Sequence, residues 1–513
     1  MVLGELAVRA ARRYPKKVAI VFEGKRITFA DFNERVNRLA NGLLSIAKPG
    51  DKVAVLSLNC YQVLEIALGL AKIGMVYAPI NYRFTPSELP YVINDSEASI
   101  LFVGPEFLGT IESIRKELKN LKLVIPIEGQ GKDGNYEKLL QQGASNEPAV
   151  PVKEEDLYAI FYTSGTTGNP KGVILTHKNV LAMLVNHVYH YEFKHDDVIV
   201  HIMPFYHAMQ FTLALDHLYV GATSVVTRRF DPKEFLTLVE KEKGTNTTLP
   251  PAALLALLNE MDRGKYDVTS LRTVAFGGQV MPTEVLRRGL QKMGQIFMNV
   301  YGLTETCSLA ACIPKHLLVP EGERSRLLGS IGKEMVNCHL RIVDERENEI
   351  RPGEMGEIII KADNVMQGYW KLPEETQSVL RGGWLHTGDM ATIDEEGYIY
   401  IRDRKKELII SGAENITPRE IEEVLYKHPA VNECAVIGVP DTKWGEAVKA
   451  VVVLREGKAA TEKELIDFCG KSLADFKKPK SVDFVAALPK DPVGKIQKKV
   501  LREKYWEGQD RRI

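Results

Sequence analysis

The chain has 513 residues, more than one hydrophobic core supports, so at least two domains are expected. Its 45% hydrophobic and 26% charged residues belong to an ordinary folded protein and exclude a fibre or a disordered chain. The 67 basic and 67 acidic residues cancel, which removes any whole-molecule pull toward nucleic acid or an acidic membrane and favours small-molecule chemistry.

In chain order, the N-terminal MVLGELAVRAARRYPKK has no uninterrupted apolar region or small-residue cleavage site. It is not a secretory signal, and a cytoplasmic location is expected. Thr28 and Asp31 then spell a capping box, with Phe32, Val36, Leu39 and Leu43 at helical spacing. That helix should pack on a sheet. A strand at 53–58, a helix at 61–74 and a strand at 76–80 follow, which is α/β grammar.

Strand-like runs at 159–162, 198–203, 273–276 and 296–301 each lead into a polar or Gly-rich segment. Ligands of open α/β sheets sit beyond the carboxyl ends of strands, so one composite site is expected there. The apolar stretch 198–226 is broken by His201, Pro204, His207, Asp216 and His217, which are costly in lipid. It reads as core and pocket wall.

After Gly329, short strands and tight turns at 351–353 and 394–397 predict a β-rich subdomain. Beyond Asp403 a charged segment, RDRKKELIISGAEN, leads to a helix with Thr417 as N-cap, Pro418 at N1 and Glu420 at N3. Strands at 434–439 and 448–454 and a helix opened by Thr461 and Glu464 complete a small α+β unit. The boundary near 402–406 gives a domain over 1–403 and another over 404–513. Six cysteines lie scattered without C-x-x-C pairs or nearby histidines, so neither zinc nor a disulfide framework is expected. They read as reduced, mostly buried thiols.

The densest chemistry lies in YTSGTTGNPKG, residues 162–172. Thr163, Ser164, Gly165, Thr166, Thr167 and Gly168 offer hydroxyls and exposed backbone N–H groups, and Lys171 adds a point charge. Polyphosphate requires such a density of donors. The loop is not a Walker A motif, because Pro170 precedes Lys171 and Gly172 follows it.

With this loop stand PFYH at 204–207, YGLTET at 301–306, GWLHTGD at 383–389, DRKK at 403–406 and PVGKI at 492–496. In this order and across essentially the whole chain, the sequence resembles the acyl-adenylate-forming superfamily of AMP-binding enzymes, most closely the bacterial long-chain fatty acid CoA ligases. The resemblance implies an acyl-CoA synthetase-like α/β fold, with a β-rich subdomain in the large domain and a mobile C-terminal domain. It also implies ATP, Mg²⁺ and CoA as cofactors and co-substrates.

The resemblance assigns roles residue by residue. Tyr301 packs on adenine beside the backbone of Gly277, Gly278 and Gln279, the last standing where a smaller residue is commoner. Gly302 and Thr304 border the phosphates, Thr163 and Glu305 serve the metal, and Asp389 accepts from the ribose hydroxyls. Arg404 adds a cationic contact to ribose or phosphate. Lys495 neutralises charge between the carboxylate and the α-phosphate. Together with Lys495 and Glu305, His207 and Thr163 form the expected catalytic set, His207 orienting the carboxylate or gating the acyl pocket.

Phe211 falls at an aromatic gate of long-chain members, and Met209, Phe211, Leu213 and Leu215 read as an apolar wall. Ala208 stands where amino-acid-activating relatives carry an acid, which argues against an amino acid substrate. Gly412 and Trp444 match residues of acyl-CoA members, Gly412 lining the pantetheine tunnel, and Ala413 replaces a second glycine. Lys406 marks the hinge about which the C-terminal domain turns between half-reactions.

The leading expectation is therefore a fatty acid CoA ligase. A medium-chain or aromatic acid ligase of the same fold is the near alternative, and a non-catalytic nucleotide-binding protein the distant one. Nucleic acid is not an expected partner. The tail LREKYWEGQDRRI reads as a solvated terminal helix, with peripheral membrane contact and a homodimer left open.

Overall fold

The computed structural model describes residues 1–129, 135–163, 169–278, 281–404, 407–411, 414–441, 444–490 and 496–507. Among these, the strands form four sheets. A nine-stranded sheet is parallel through its centre, where Phe297–Tyr301, Thr273–Gly277, Asn246–Leu249, Val198–His201, Thr223–Val226 and Val18–Phe22 lie side by side. A seven-stranded sheet sets Leu157–Thr163 beside Val76–Pro79, with Lys171–Thr176 antiparallel to it and Gly368–Tyr369 at the edge. Parallel strands need covered faces, and helices supply the cover.

The largest core joins both sheets, combining Val53, Tyr77 and Phe161 from one with Ile199, Ala275 and Val300 from the other. Helices His177–Tyr191 and Ala208–Val220 add Val180, Met183, Phe211 and Leu215 to the same core. The predicted first helix forms over Phe29–Leu44. Thr28 Oγ1 accepts from Asp31 N at 3.2 Å, and Phe32, Val36, Leu39 and Leu43 are all fully buried. Removing such a cap typically costs about 1 kcal/mol.

The expected β-rich subdomain is an antiparallel sheet of Cys338–Val343, Met355–Ala362, Leu380–Arg381, Trp384–Ile393 and Ile399–Arg404. The C-terminal domain has its own sheet, Ile409–Ser411, Glu414–Ile416, Val431–Asp441, Gly445–Leu454 and Ser481–Phe484, with separate cores on its two faces. Its helix Glu462–Gly470 carries the Thr461–Glu464 capping box. Helix Pro418–Leu425 starts after Thr417, but Thr417 makes no side-chain cap and Glu420 pairs with Lys477 at 2.7 Å instead. A long-range ion pair has taken the acid that the local motif offered.

The terminal helix Lys498–Trp506 is docked rather than fully solvated, with Leu501 buried and Trp506 Nε1 donating to Gly438 O at 3.0 Å. All six cysteines are free and buried. Among the described residues no helix is long and apolar enough to cross a membrane.

Candidate active site

Three of the predicted site residues stand at the carboxyl ends of parallel strands. Thr163 ends Leu157–Thr163, Gly277 ends Thr273–Gly277 and Tyr301 ends Phe297–Tyr301. The loop residues Ser164, Gly165, Thr166, Thr167 and Gly168 lie outside the described residues, as do Gln279, Lys406, Gly412, Ala413 and Lys495. The feet of the phosphate loop are described. Thr163 pairs with Lys171 across an antiparallel ladder, so both ends of the loop are pinned.

Asp389 is buried at 5% exposure and accepts a hydrogen bond from the Tyr301 hydroxyl at 2.7 Å. Its backbone N–H donates to Thr387 Oγ1 at 3.1 Å, and the neighbouring Gly388 N–H donates to Glu357 Oε1 at 3.0 Å. The turn is therefore held independently of the carboxylate. Arg404 pairs with Asp389 across the ladder of Trp384–Ile393 and Ile399–Arg404. That register brings the predicted ribose acid and the predicted cation to one point of the sheet.

Glu305 lies in the short turn Thr304–Thr306 and is half-buried. Its Oε1 accepts from the Tyr369 hydroxyl at 2.8 Å, and its carbonyl accepts from Met366 N at 2.8 Å. The Lys171 ammonium stands 5.2 Å from the centre of the Tyr369 ring. Tyr369 thus touches both the foot of the phosphate loop and the predicted metal ligand. The sequence reading missed it; its only signal is the GYW at 368–370, next to the phosphate-loop strand only in the fold.

The Glu305 turn is tightly made. A Cβ on Gly302 would come 2.0 Å from Ser308 O, so no side chain fits there. Thr306 Oγ1 accepts from Leu303 N at 2.9 Å, while the buried Asn364 donates to Thr306 O at 2.7 Å and Leu309 O at 2.9 Å. Asn364 is a second residue that carries no signal in the sequence.

On the adenine side Gly278 has φ +75° and open space where a Cβ would stand. Glycine takes that conformation without cost and leaves backbone open to a flat ligand. The donor set fits its expected ligands: a buried carboxylate for ribose, a half-buried carboxylate and the Thr163 hydroxyl for a hard cation, and an uncovered backbone for the base.

His207 precedes helix Ala208–Val220, its Nε2 enclosed and without a hydrogen-bond partner among the described residues. Burial, with the positive charge of Arg83, pulls its pKa down to about 4. The ring is neutral at pH 7 and one nitrogen is unspent. Phe211 is fully buried, its ring 5.1 Å from Tyr77 and 5.6 Å from Phe161. A ring so enclosed can reach an acyl chain only by moving. The wall expected from Met209, Phe211, Leu213 and Leu215 needs correction, because these residues occupy a helix, where positions two apart point different ways. Met209 and Leu213 share one side, Phe211 and Leu215 another.

In the C-terminal domain Trp444 is 48% exposed, and its backbone N–H donates to Asp441 Oδ1 at 2.8 Å. Ser411 pairs with Gly445, which puts Trp444 next to the end of strand Ile409–Ser411. The half-buried Arg419 donates to Ile401 O and through its backbone to Asp403 Oδ2, tying this domain to the strand that ends at Arg404.

Comparison with known proteins agrees with this architecture. The family model described as AMP-binding enzyme matches residues 7–370, and the one for the AMP-binding enzyme C-terminal domain matches 420–495. A feruloyl-CoA synthase from Amycolatopsis sp is 36% identical, covering 98% of this chain and 99% of that protein. A long-chain-fatty-acid–CoA ligase from Bacillus subtilis is 35% identical over 99% of this chain and 95% of its own. The crystal structure of ATP-bound MatB from Rhodopseudomonas palustris superposes with a TM-score of 0.90 at 32% identity, covering 99% of this chain and 100% of that one. With whole-length matches on both domains, the chain belongs to the AMP-binding enzyme family and is an ATP-dependent acyl-CoA ligase using ATP, Mg²⁺ and CoA.

Proposed function

We propose that the acid is one with an apolar tail, a fatty acid in the first place, activated as acyl-adenylate and then passed to CoA. The carboxylate attacks the α-phosphorus of ATP and pyrophosphate leaves; the CoA thiol then displaces AMP and gives up its proton. The observation that carries the activation step is the pair of fixed carboxylates, Asp389 on the Tyr301 hydroxyl and Glu305, in the turn that follows Tyr301, on the Tyr369 hydroxyl.

In this reading Asp389 binds ribose, Tyr301 and the 277–279 backbone hold adenine, and the loop from Thr163 to Lys171 grips phosphate. Glu305 and Thr163 would hold magnesium, which when bound neutralises phosphate charge. His207, uncharged, donates from its free nitrogen to the incoming carboxylate without holding it as a salt. Lys495 and Arg404 supply cationic charge at the reacting phosphate, and Gly412 and Trp444 border the route of the thiol. The domains divide at about residue 403, and turning about Lys406 exchanges the two half-reactions.

Ala208 after His207 supports an apolar acid over an amino acid, since no carboxylate follows to pair with an amine. A second reading, an aromatic acid of the hydroxycinnamic class, has support from the 36% identity to a feruloyl-CoA synthase. A panel of short-, medium- and long-chain fatty acids with hydroxycinnamic and benzoic acids, scored for pyrophosphate without CoA and thioester with it, separates them. Nucleotide binding without acid-dependent pyrophosphate release for any member would return the chain to the non-catalytic alternative.

A further inference from the structure

The turn after Glu305 is strained and is tied to a polar run that no step above uses. Cys307 and Ser308, neither of them glycine, have φ +55° and +134°. Such backbone persists only where surrounding structure imposes it, and it clusters at working sites. Here Ser308 Oγ lies 3.3 Å from His187 Nε2, and His187 Nδ1 lies 2.7 Å from Asp216 Oδ2. On its other side Ser308 Oγ lies 3.3 Å from Thr212 Oγ1, which donates to Ala208 O at 2.9 Å. His187 and Asp216 are fully buried.

The direction of the run follows from hydrogen-bond accounting. Asp216 Oδ1 has no partner among the described residues, an arrangement far costlier for a carboxylate than for a neutral acid. Burial also raises the Asp216 pKa and lowers that of His187 to about 3, both shifts running toward the neutral pair that the unpartnered Oδ1 favours. Asp216 therefore donates to His187 Nδ1, His187 Nε2–H to Ser308 Oγ, Ser308 O–H to Thr212 Oγ1, and Thr212 O–H to Ala208 O. The Ser308 and Thr212 hydroxyls are each used once as a donor and once as an acceptor. The chain begins between helices His177–Tyr191 and Ala208–Val220, passes through the residue three after Glu305, and ends on the residue after His207.

We propose that Asp216, His187, Ser308 and Thr212 form a positioning device for adenylate formation, fixing the Glu305 turn against the start of the helix that carries the acyl side of the site. None of the four touches a substrate in this account; they act through Glu305 and His207. The inference rests on the acyl-adenylate reading, and it makes the distance between metal side and acid side a property of four buried side chains. Small displacements of reacting groups cost rate steeply, so a loosened turn should appear in the chemical step.

The test uses the full-length protein with Ser308→Ala, which removes one oxygen, and Asp216→Asn, which keeps a donor toward His187. Ser308→Ala should keep the wild-type melting temperature, weaken Mg·ATP binding measured by calorimetry, and lower kcat for pyrophosphate release roughly tenfold. Its thioester formation from supplied acyl-adenylate and CoA should stay within about twofold. Asp216→Asn should remain within about threefold of wild type in every assay, because the neutral run survives. Wild-type Mg·ATP affinity and adenylation in Ser308→Ala would overturn the proposal, as would equal loss in both half-reactions. Collapse of Asp216→Asn would overturn the neutral run. If the wild-type protein releases no pyrophosphate with any acid, the adenylate reading fails, and the Mg·ATP affinity of Ser308→Ala still decides whether the run positions the turn.

Discussion

The Tyr369 hydroxyl donates to Glu305 Oε1 at 2.8 Å, joining the sheet edge beside Lys171 to the turn that bears the proposed metal ligand. Tyr369→Phe deletes that bond and keeps the ring that stands by the Lys171 ammonium. A hydrogen bond to a carboxylate contributes about 1.5–3 kcal/mol. Adenylation should fall about tenfold with a raised Mg²⁺ requirement and an unchanged melting temperature. Magnesium titrations indistinguishable from wild type would remove Tyr369 from the site.

Tyr301 and Asp389 offer a pair to be taken apart by a double-mutant cycle. Asp389→Ala should raise the KM for ATP at least about tenfold, and Tyr301→Phe by less, because the turn that carries the carboxylate keeps its own hydrogen bonds to Thr387 and Glu357. The double variant should be less impaired than the sum of the two by about 1 kcal/mol. Strict additivity in ATP affinity would show that the 2.7 Å bond has no bearing on nucleotide binding.

The C-terminal domain is expected to serve the two half-reactions in two orientations, turned about Lys406. Lys406→Pro should spare pyrophosphate release and block thioester formation, and Lys495→Ala should do the reverse. Each loss should be at least about a hundredfold, the scale of a removed conformational step or a removed transition-state charge. Pyrophosphate exchange and thioester formation, measured separately, check it; equal loss of both activities in both variants contradicts the division.

Burial holds several histidines neutral: the pKa of His177 and His207 falls to about 4 and that of His187 and His217 to about 3. Each folded-state value lies below the unfolded value of about 6.5, so the unfolded chain binds more protons between them. Stability is therefore intact above about pH 6.5, is lost as pH falls toward 4, and each such group contributes about 1.4 kcal/mol per pH unit in that window. Calorimetric melting temperatures should drop across it, less steeply in His217→Asn than in wild type. Parallel slopes for the two proteins would refute the assignment to His217.

Gly302→Ala places a Cβ 2.0 Å from Ser308 O, a backbone atom that cannot swing aside. The turn must open, with an expected loss of adenylation larger than that of Tyr369→Phe and a stability cost of about 2–4 kcal/mol. Thermal melting and pyrophosphate release check both parts. A variant of wild-type stability and rate would mean that the turn relaxes freely.

Much of this protein was legible in its sequence because its signals are local. The N-cap at Thr28, the alternation of strands and helices, the punctuation after residues 163, 277 and 301, and the order of the motifs each follow from neighbouring residues obeying backbone and solvation rules. They determined the α/β class, the two domains and the nucleotide chemistry. Only the tertiary structure decided that 209–215 is a helix with diverging side chains, that Glu420 leaves its cap for Lys477, and that Tyr369 and Asn364 hold the Glu305 turn. It alone brought Asp216, His187 and Ser308 together, residues up to 121 positions apart in the chain. Such contacts depend on which buried polar groups find one another once the core has formed, and no spacing in the sequence encodes that meeting.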